Sequence, residues 1–389
     1  MNEFRNSIDI GVNGQRTLPA EAYVSAQVFA NEQRVIFGSH WQCVAREQDL
    51  AHSGDFLVRE VGGESLIIVR GDNHCIRAHF NVCRHRGTRL CTESHGQFSR
   101  TIQCPYHAWT YALDGSLAGV PDERQLPNFR RQDHALHAAG CAIWEGFVWV
   151  NLSEQRTSLD DWLAPLHNKF AAWGLANLLT LGRREYHVAA NWKLIVQNYS
   201  ECYHCPVIHP ALVKLSPPTS GGNDLTDGPF LGGFMDVPEP GGSMTCSGRA
   251  CGAALGSLTG PDLQRVYYYV LFPNLLLSLH HDYVMVHTLW PLSPGETRIE
   301  CQWLFHPDSR DSSRWDPNDG IEFWDQTNRE DWRVSELTQL GVASMRYRPG
   351  PYSNREAISA AFDRYFVHVL KGDSIGDTST VHGTGTQCR

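Results

Sequence analysis

Two short segments, Cys83-Arg-His85 and Cys104-Pro-Tyr-His107, decide the fold of the first half of this 389-residue chain. Each segment offers one thiolate and one imidazole, and 18 residues separate the two. Such a set fits a tetrahedral zinc ion, or a [2Fe-2S] cluster with one iron bound by the cysteines and the other by the histidines. Zinc fingers usually pair Cys with Cys and His with His, so the alternation of Cys and His in each segment favours the cluster.

The sequence around these two segments predicts β-structure. Ser65–Arg70 and Cys75–Asn81 read as strands before the first segment, and Thr110–Leu113 with the turn Asp114-Gly115 follows the second. We therefore expect two metal-binding loops held by an all-β domain.

Residues 41–150 resemble the Rieske domain of aromatic-ring-hydroxylating and related Rieske non-haem iron oxygenases. The stretch Cys104-Pro-Tyr-His-Ala-Trp-Thr-Tyr is similar to that family's second cluster loop, although Ala108 stands where the family usually has Gly. Respiratory Rieske proteins carry an extra cysteine in each loop, and the second loop here has none. We therefore interpret Cys91 as a small buried apolar residue. The resemblance implies a low-potential cluster that passes electrons to an oxygenase site.

A second motif, Glu201-Cys-Tyr-His204-Cys-Pro-Val-Ile-His209, contains two histidines five residues apart. On an ideal helix they would be separated by about 140°, which makes a shared ion difficult. Pro206 is predicted to break the helix between them and allow His209 to turn back. Two histidines and one carboxylate form the facial triad of non-haem Fe(II) oxygenases. Cys202 and Cys205 are expected to pack rather than to bind metal or form a disulfide.

The best candidate for the carboxylate is Asp331, in a predicted helix over residues 320–341. Counting 100° per residue places Asp331 beside Trp324 and Val334 on the apolar side, where an unpaired carboxylate is costly. In one alternative, Asp331 is not a ligand and pairs with a buried Arg or with backbone amides. In the other, Glu330 is the ligand. Asn328-Arg-Glu-Asp331-Trp also resembles the family's third-ligand segment.

Residues 191–210 strongly resemble the family's catalytic-iron motif. The resemblance implies a head-to-tail homotrimer in which the cluster of one chain lies beside the iron of the next, since the two centres of one chain are too far apart. It also implies that Glu201 hydrogen-bonds His204 in its own chain and His107 of a neighbour. Most ring-hydroxylating relatives have Asp at this bridge, and the Glu here resembles the branch that oxidises quaternary ammonium compounds such as carnitine and glycine betaine.

A quaternary ammonium group donates no hydrogen bond and is recognised by aromatic faces. The candidate substrate contacts are Tyr203, Tyr267, Tyr269 and Trp303. Strand alternation puts Tyr267 and Tyr269 on one face and Tyr268 on the other, so the three cannot line one pocket. Each of these residues could equally be an ordinary aromatic of a sheet core.

Composition limits the partners and the compartment. The 33 basic and 42 acidic residues give a net charge of -9 with no basic stripe, so we expect no nucleic acid partner. We also expect no membrane segment and no secretory signal, and the 12 scattered cysteines suit a reducing compartment. The expected location is the cytoplasm.

The expected fold class is α+β, with an all-β Rieske [2Fe-2S] domain and a catalytic domain whose antiparallel sheet is covered by helices. The predicted boundaries are residues 1–39 for an N-terminal arm packing with the catalytic domain and containing a helix over 20–37, 40–155 for the Rieske domain, and 156–389 for the mononuclear iron domain. A tail after about residue 372 is expected to be disordered. The Gly-, Pro- and Ser-rich residues 216–260 are interpreted as a substrate lid or a surface excursion.

The chain is therefore expected to be a terminal oxygenase that uses O2, a [2Fe-2S] cluster and Fe(II), with electrons from NAD(P)H through a separate flavin- or ferredoxin-type reductase. Its substrate is expected to be a small quaternary or tertiary amine, oxidised next to nitrogen with N-dealkylation or C-N cleavage, and monooxygenation is favoured over dioxygenation. The alternatives are hydroxylation of an aromatic ring and, from another class, a zinc-stabilised binding protein or a Rieske electron carrier. An electron carrier would not need Glu201, His204, His209 and Asp331.

Overall fold

The structure is a computed structural model that describes residues 15–311 and 315–372. These residues form two compact units: a cluster domain of residues 33–161, and a catalytic domain of residues 15–32 and 162–371. The tail expected after about residue 372 lies outside the described residues. No helix in the described ranges is both long and apolar enough to cross a membrane.

The cluster domain is built from short antiparallel strands. They are β1 (Gln42–Arg46), β2 (Asp55–Val61), β3 (Glu64–Arg70), β4 (Ile76–Phe80), β5 (His95–Gln97), β6 (Thr101–Gln103), β7 (Thr110–Ala112), β8 (Leu117–Gly119), β9 (Ala138–Trp144) and β10 (Phe147–Asn151). One sheet has the order β1-β10-β9-β4-β3-β2-β5, and a smaller one has the order β6-β7-β8.

Both Cys/His segments begin at cysteines that belong to the buried core of this domain. Ile67 and Val69 of β3 pack in one apolar cluster with Ile102 of β6 and Tyr111 of β7, and the cluster also contains Cys83 and Cys104. The first segment follows β4, whereas the second is the turn between β6 and β7. Since the core holds the base of each loop, the positions of the loops are set by strand packing.

The catalytic domain has a seven-stranded antiparallel sheet in the order β11-β17-β16-β15-β14-β13-β12. Its strands are β11 (Leu179–Val188), β12 (Gly222–Leu225), β13 (Phe230–Asp236), β14 (Arg265–Leu271), β15 (Leu275–Leu279), β16 (Val284–Ser293) and β17 (Glu296–Phe305). β15, residues 284–290 of β16 and the end of β17 are buried on both faces, so apolar residues there do not alternate strictly with polar ones.

Eight α-helices lie in the described residues: α1 (Glu21–Val24), α2 (Ala26–Glu32), α3 (Leu159–Trp162), α4 (Trp192–Tyr199), α5 (Cys205–Ile208), α6 (Pro210–Leu215), α7 (Pro317–Val342) and α8 (Ala357–Lys371). A π-helical turn, Gln33–Phe37, follows α2. The helix predicted over residues 20–37 is interrupted at Ser25, whose φ and ψ are -79° and 121°. The α+β fold class is confirmed, with α4 packing against both α7 and α8.

Two strands in residues 216–260 escaped the sequence interpretation, because their glycines suggested a loop. Gly232 has a φ of 148°, and a Cβ there would lie 2.0 Å from the Tyr268 carbonyl oxygen. A Cβ on Gly233 would lie 2.1 Å from the carbonyl oxygen of Gly222 in the neighbouring strand. Glycine is therefore required for β13 to fit between β12 and β14, rather than to make this segment flexible.

Helix α4, which leads into the histidine motif, is fixed by a buried ion pair. Lys193 Nζ lies 2.5 Å from Glu32 Oε1 of α2, and both side chains are fully buried. Trp192 Nε1 donates to the other oxygen of Glu32 at 2.9 Å. At the start of the helix, the Asn191 side chain accepts a hydrogen bond from the Lys193 backbone N–H.

Candidate metal centres and substrate cavity

The structure brings His204, His209 and Asp331 together, with one ligand atom from each within 4.8 Å of the others. The two Nε2 atoms are 3.2 Å apart, and Asp331 Oδ1 lies 2.8 Å from His209 Nε2 and 3.2 Å from His204 Nε2. Two imidazole nitrogens and one carboxylate oxygen on one side of a point are the donor set that suits mononuclear Fe(II) with open positions. These residues fit such an ion.

The predicted role of Pro206 is wrong, although the histidines do converge. Pro206 lies in the first turn of α5, where its missing N–H would have no helical partner in any case. The helix ends instead at His209, whose φ of -119° and ψ of 67° are not helical, and Pro210 then starts α6. Since a residue before proline avoids the α conformation, Pro210 explains the break that turns His209 towards His204.

Two glutamates orient the two imidazoles. His204 donates from Nδ1 to Oε1 of Glu201 at 2.6 Å, and His209 donates from Nδ1 to Oε2 of Glu330 at 2.7 Å. Carboxylate oxygens can only accept here, so Nδ1 carries the proton and Nε2 is left to bind metal. The sequence left Glu330 as an alternative metal ligand. In the structure Glu330 instead accepts a hydrogen bond from His209, a candidate ligand. Gln326, one helical turn earlier, donates to its other oxygen at 3.0 Å.

Glu201 precedes α5 and also holds the backbone of the motif. Its Oε2 accepts hydrogen bonds from the N–H groups of Tyr203 and His204. Residues 201–204 are not helical, and the Cα atoms of Cys202 and Cys205 are 4.9 Å apart. The expectation that these cysteines only pack is wrong, because they form a disulfide on either side of His204.

Charge is balanced within this centre. Burial alone would raise the pKa of Asp331, but hydrogen bonds from His204 and His209 outweigh it and lower the pKa to about 2. Burial would lower the pKa of His204, yet its bonds to Asp331 and Glu201 raise it to about 10. The same competition raises the pKa of His209. The carboxylates therefore favour positive charge at the two imidazoles, which bound Fe(II) would supply.

A cavity of about 380 Å³ opens beside this centre. Its aromatic walls come from Tyr199, Phe234, Tyr268, Trp324 and Trp332, and Asp331 lies among the lining residues. A volume of this size, with aromatic walls and polar side chains around the candidate iron centre, is typical of a site for a small molecule.

The predicted substrate contacts differ from the residues that line this cavity. The side chains of Tyr267 and Tyr269 lie on the other sheet face, where they donate to Asp262 and Asp224. Tyr268 lines the cavity in their place, as strand alternation requires. Trp303 is fully buried within the sheet.

Tyr203, the remaining predicted contact, is 53% exposed and lies outside the lining residues of the cavity. His287 lines the cavity, although no carboxylate or cysteine at ligand spacing marks it in the sequence. Burial lowers the pKa of His287 to about 4, so it stays neutral at physiological pH.

The other predicted ligands meet at the surface of the cluster domain. The rings of His85 and His107 are 4.7 Å apart between centroids, and the thiols of Cys83 and Cys104 are buried. Cys83 Sγ lies 3.3 Å from the hydroxyl of Tyr111. Nδ1 of His107 is buried and has no hydrogen-bond partner among the described residues, as suits a nitrogen that binds iron. The four residues fit a [2Fe-2S] cluster.

Two protein-family models match the two predicted domains of the chain. Residues 40–130 match the Rieske [2Fe-2S] domain, and residues 175–372 match the catalytic domain of the ring-hydroxylating alpha subunit. The chain therefore belongs to the ring-hydroxylating alpha-subunit family and is a Rieske-type oxygenase with a [2Fe-2S] cluster and a non-haem iron. The zinc-protein and electron-carrier alternatives are wrong, since neither has this catalytic domain.

Several relatives have been named for their reactions. The chain is 32% identical to the glycine betaine monooxygenase oxygenase subunit of Chromohalobacter salexigens over 376 residues, which covers 87% of this chain and 82% of the relative. It is 39% identical to the carnitine monooxygenase oxygenase subunit of Acinetobacter baumannii over 196 residues, 50% of this chain and 53% of the relative. Among solved structures, the quaternary ammonium Rieske monooxygenase CntA in complex with L-carnitine superposes with a TM-score of 0.74 at 26% identity, covering 95% and 98% of the two chains.

Proposed function

We propose that this protein is the terminal component of a Rieske monooxygenase that oxidises a small quaternary or tertiary amine next to nitrogen. The observation that carries the proposal is the aromatic cavity beside the anionic iron centre. Tyr268, Trp324 and Trp332 offer ring faces to a cation that cannot donate hydrogen bonds. Each desolvated face contributes about 1–2 kcal/mol, so two faces favour the cation over a neutral analogue by tenfold or more. The names of the relatives support the same substrate class.

The proposed reaction inserts one oxygen atom of O2 into a C–H bond next to nitrogen, and the second atom leaves as water. Two electrons and a hydride-derived proton come from NAD(P)H through a separate flavin- or ferredoxin-type reductase, and a second proton comes from solvent. The resulting carbinolamine loses its hydroxyl proton as the C–N bond breaks, which gives an aldehyde and a smaller amine. The bound iron supplies the activation of O2, while Glu201 and Glu330 hold its imidazole ligands in place.

We further propose that the working enzyme is a head-to-tail homotrimer and that Glu201 connects His204 to the partner subunit's His107. The carboxylate of Glu201 already accepts from His204 Nδ1 at 2.6 Å, which supports its place next to the iron ligand. Co-expression of a His107→Ala chain with a His204→Ala chain tests this pathway. Mixed assemblies should recover activity that neither variant has alone, whereas no recovery in purified mixed trimers argues against electron transfer between subunits.

The substrate class is tested by reconstitution with an NAD(P)H-dependent reductase. A panel of quaternary and tertiary amines should include a compound for which NAD(P)H, O2 and aldehyde appear in a 1:1:1 ratio. Tyr268→Leu should raise the KM for that amine by roughly 5- to 30-fold, from the loss of one cation–π contact. Tyr267→Leu, on the opposite sheet face, is the matched control. Stoichiometric hydroxylation of an arene, with only uncoupled O2 consumption for every amine, would show that the substrate class is wrong.

A further inference from the structure

Arg355 lies at the rim of the cavity, in the 3-10 turn Asn354–Glu356 before α8. Its Nη2 donates to the carbonyl oxygen of Cys202 at 3.4 Å and to that of Pro218 at 3.2 Å. The guanidinium also lies 5.1 Å from the centroid of the Tyr203 ring. Arg355 is thus attached to the histidine motif on one side and to the loop before β12 on the other.

Among the described residues, Arg355 has no acidic partner. Within residues 15–311 and 315–372, no carboxylate forms an ion pair with it, and its Nε and Nη1 make no hydrogen bond. It is the only Lys or Arg among the described residues that line the cavity. In a chain with a net charge of -9, this isolated cation is a local site for an anionic group.

The cavity is therefore polarised. Asp331 and Glu201 bring carboxylates to the candidate iron centre, and Tyr268 and Trp324 line the cavity beside it. Arg355 supplies positive charge at the rim. A molecule that complements both ends has a cationic nitrogen at one end and an anion at the other.

We propose that Arg355 binds the carboxylate of a zwitterionic substrate whose quaternary ammonium group lies against the aromatic wall, so that the enzyme selects betaines over cations without a carboxylate. This inference rests on the proposed function and identifies its specificity-determining residue. A guanidinium forms charge-assisted hydrogen bonds with a carboxylate, and the N–H groups of Nε and Nη1 remain as donors for them. Arg355 contacts the backbone of Cys202, two residues before His204, and Arg355 and the candidate iron ligands line the same cavity, so one small betaine can contact both.

The test compares two probes that differ only in the anion: γ-butyrobetaine and its methyl ester. Arg355→Gln should lower the ratio of kcat/KM for the betaine over that for the ester by at least about tenfold, mainly through the KM of the betaine. Arg355→Lys, which keeps the charge but loses the fork of donors, should give an intermediate ratio. Arg346→Gln removes an exposed arginine that does not line the cavity, and its ratio should equal that of the wild type. An unchanged ratio in Arg355→Gln would overturn the inference.

A binding measurement separates this inference from the proposed function. Anaerobic calorimetry of γ-butyrobetaine with the holoenzyme and with Arg355→Gln needs no turnover. Weaker binding by at least about tenfold in the variant supports the carboxylate site even if no amine is oxidised. Equal binding to both proteins refutes the site even if amine oxidation is observed.

Discussion

Glu201 and Glu330 make nearly identical contacts with the two candidate iron-binding histidines, so a comparison of the two glutamates separates support of a histidine from the proposed transfer of electrons. Each accepts a hydrogen bond from the Nδ1 of its histidine, at 2.6 and 2.7 Å. Glu201→Gln and Glu330→Gln each keep an acceptor in place but remove its charge. Loss of such a support usually lowers metal affinity by 10- to 100-fold, or about 1.4–2.7 kcal/mol. We expect both variants to fall in this range.

Only Glu201 is proposed to carry electrons between subunits, so the variants should differ once iron is saturating. Iron affinity is measured first, by chelator competition in protein with an intact cluster. The cluster is then reduced without O2, mixed with O2 and substrate, and its re-oxidation is followed by absorbance. Glu330→Gln should re-oxidise at close to the wild-type rate, and Glu201→Gln at least about tenfold more slowly. Equal slowing in both variants would mean that Glu201 acts only through His204. Unchanged iron affinity in both would refute the supporting role of the two carboxylates.

Three further predictions concern metal content and stability. Anaerobically purified protein should contain about three irons per chain by elemental analysis and give a Rieske-type EPR signal on reduction. Asp331→Ala should retain about two irons with the EPR signal intact. Stoichiometric zinc would contradict this prediction. Lys193→Met leaves Glu32 buried without its cation and should lower the free energy of unfolding by about 3–5 kcal/mol in denaturant titration, with partial recovery when Glu32→Gln is added. Ala108 has a φ of 55°, so Ala108→Gly should raise the free energy of unfolding by up to about 1 kcal/mol, and a loss of stability would show that this turn is unstrained.

The candidate metal-binding residues could be predicted from sequence because their patterns are local. Cys and His alternate within each cluster loop, and His204 and His209 share one segment, so short spacings carry the information. Asp331 was harder to predict, because burial on one side of a helix and a resemblance to the family's third-ligand segment favoured it but left Glu330 as an alternative. The α+β fold class and the strands of the sheet core followed from apolar runs and turn residues for the same reason.

What the sequence could not reveal depends on tertiary contacts. Pro206 and Pro210 both break helices in principle, and only the backbone at His209 shows which of them acts. Strand alternation separates Tyr268 from Tyr267 and Tyr269, but it does not show which face of β14 lines the cavity. Tyr268 could therefore not be chosen over its neighbours as a substrate contact. Arg355 contacts the carbonyl groups of Cys202 and Pro218, which are 153 and 137 residues away in the sequence, and no local pattern predicts such contacts.

Helix α7 also constrains how this protein can evolve. Trp324 of the cavity wall, the support Glu330 and the ligand Asp331 all belong to this one continuous helix. Trp324 and Asp331 are seven residues apart, so about 10 Å of helix separates the wall from the ligand. A single inserted or deleted residue between them would rotate the carboxylate by about 100° around the helix axis and take it away from both histidines. Homologous sequences should therefore vary in side chains along residues 324–331 while keeping the length of this segment constant.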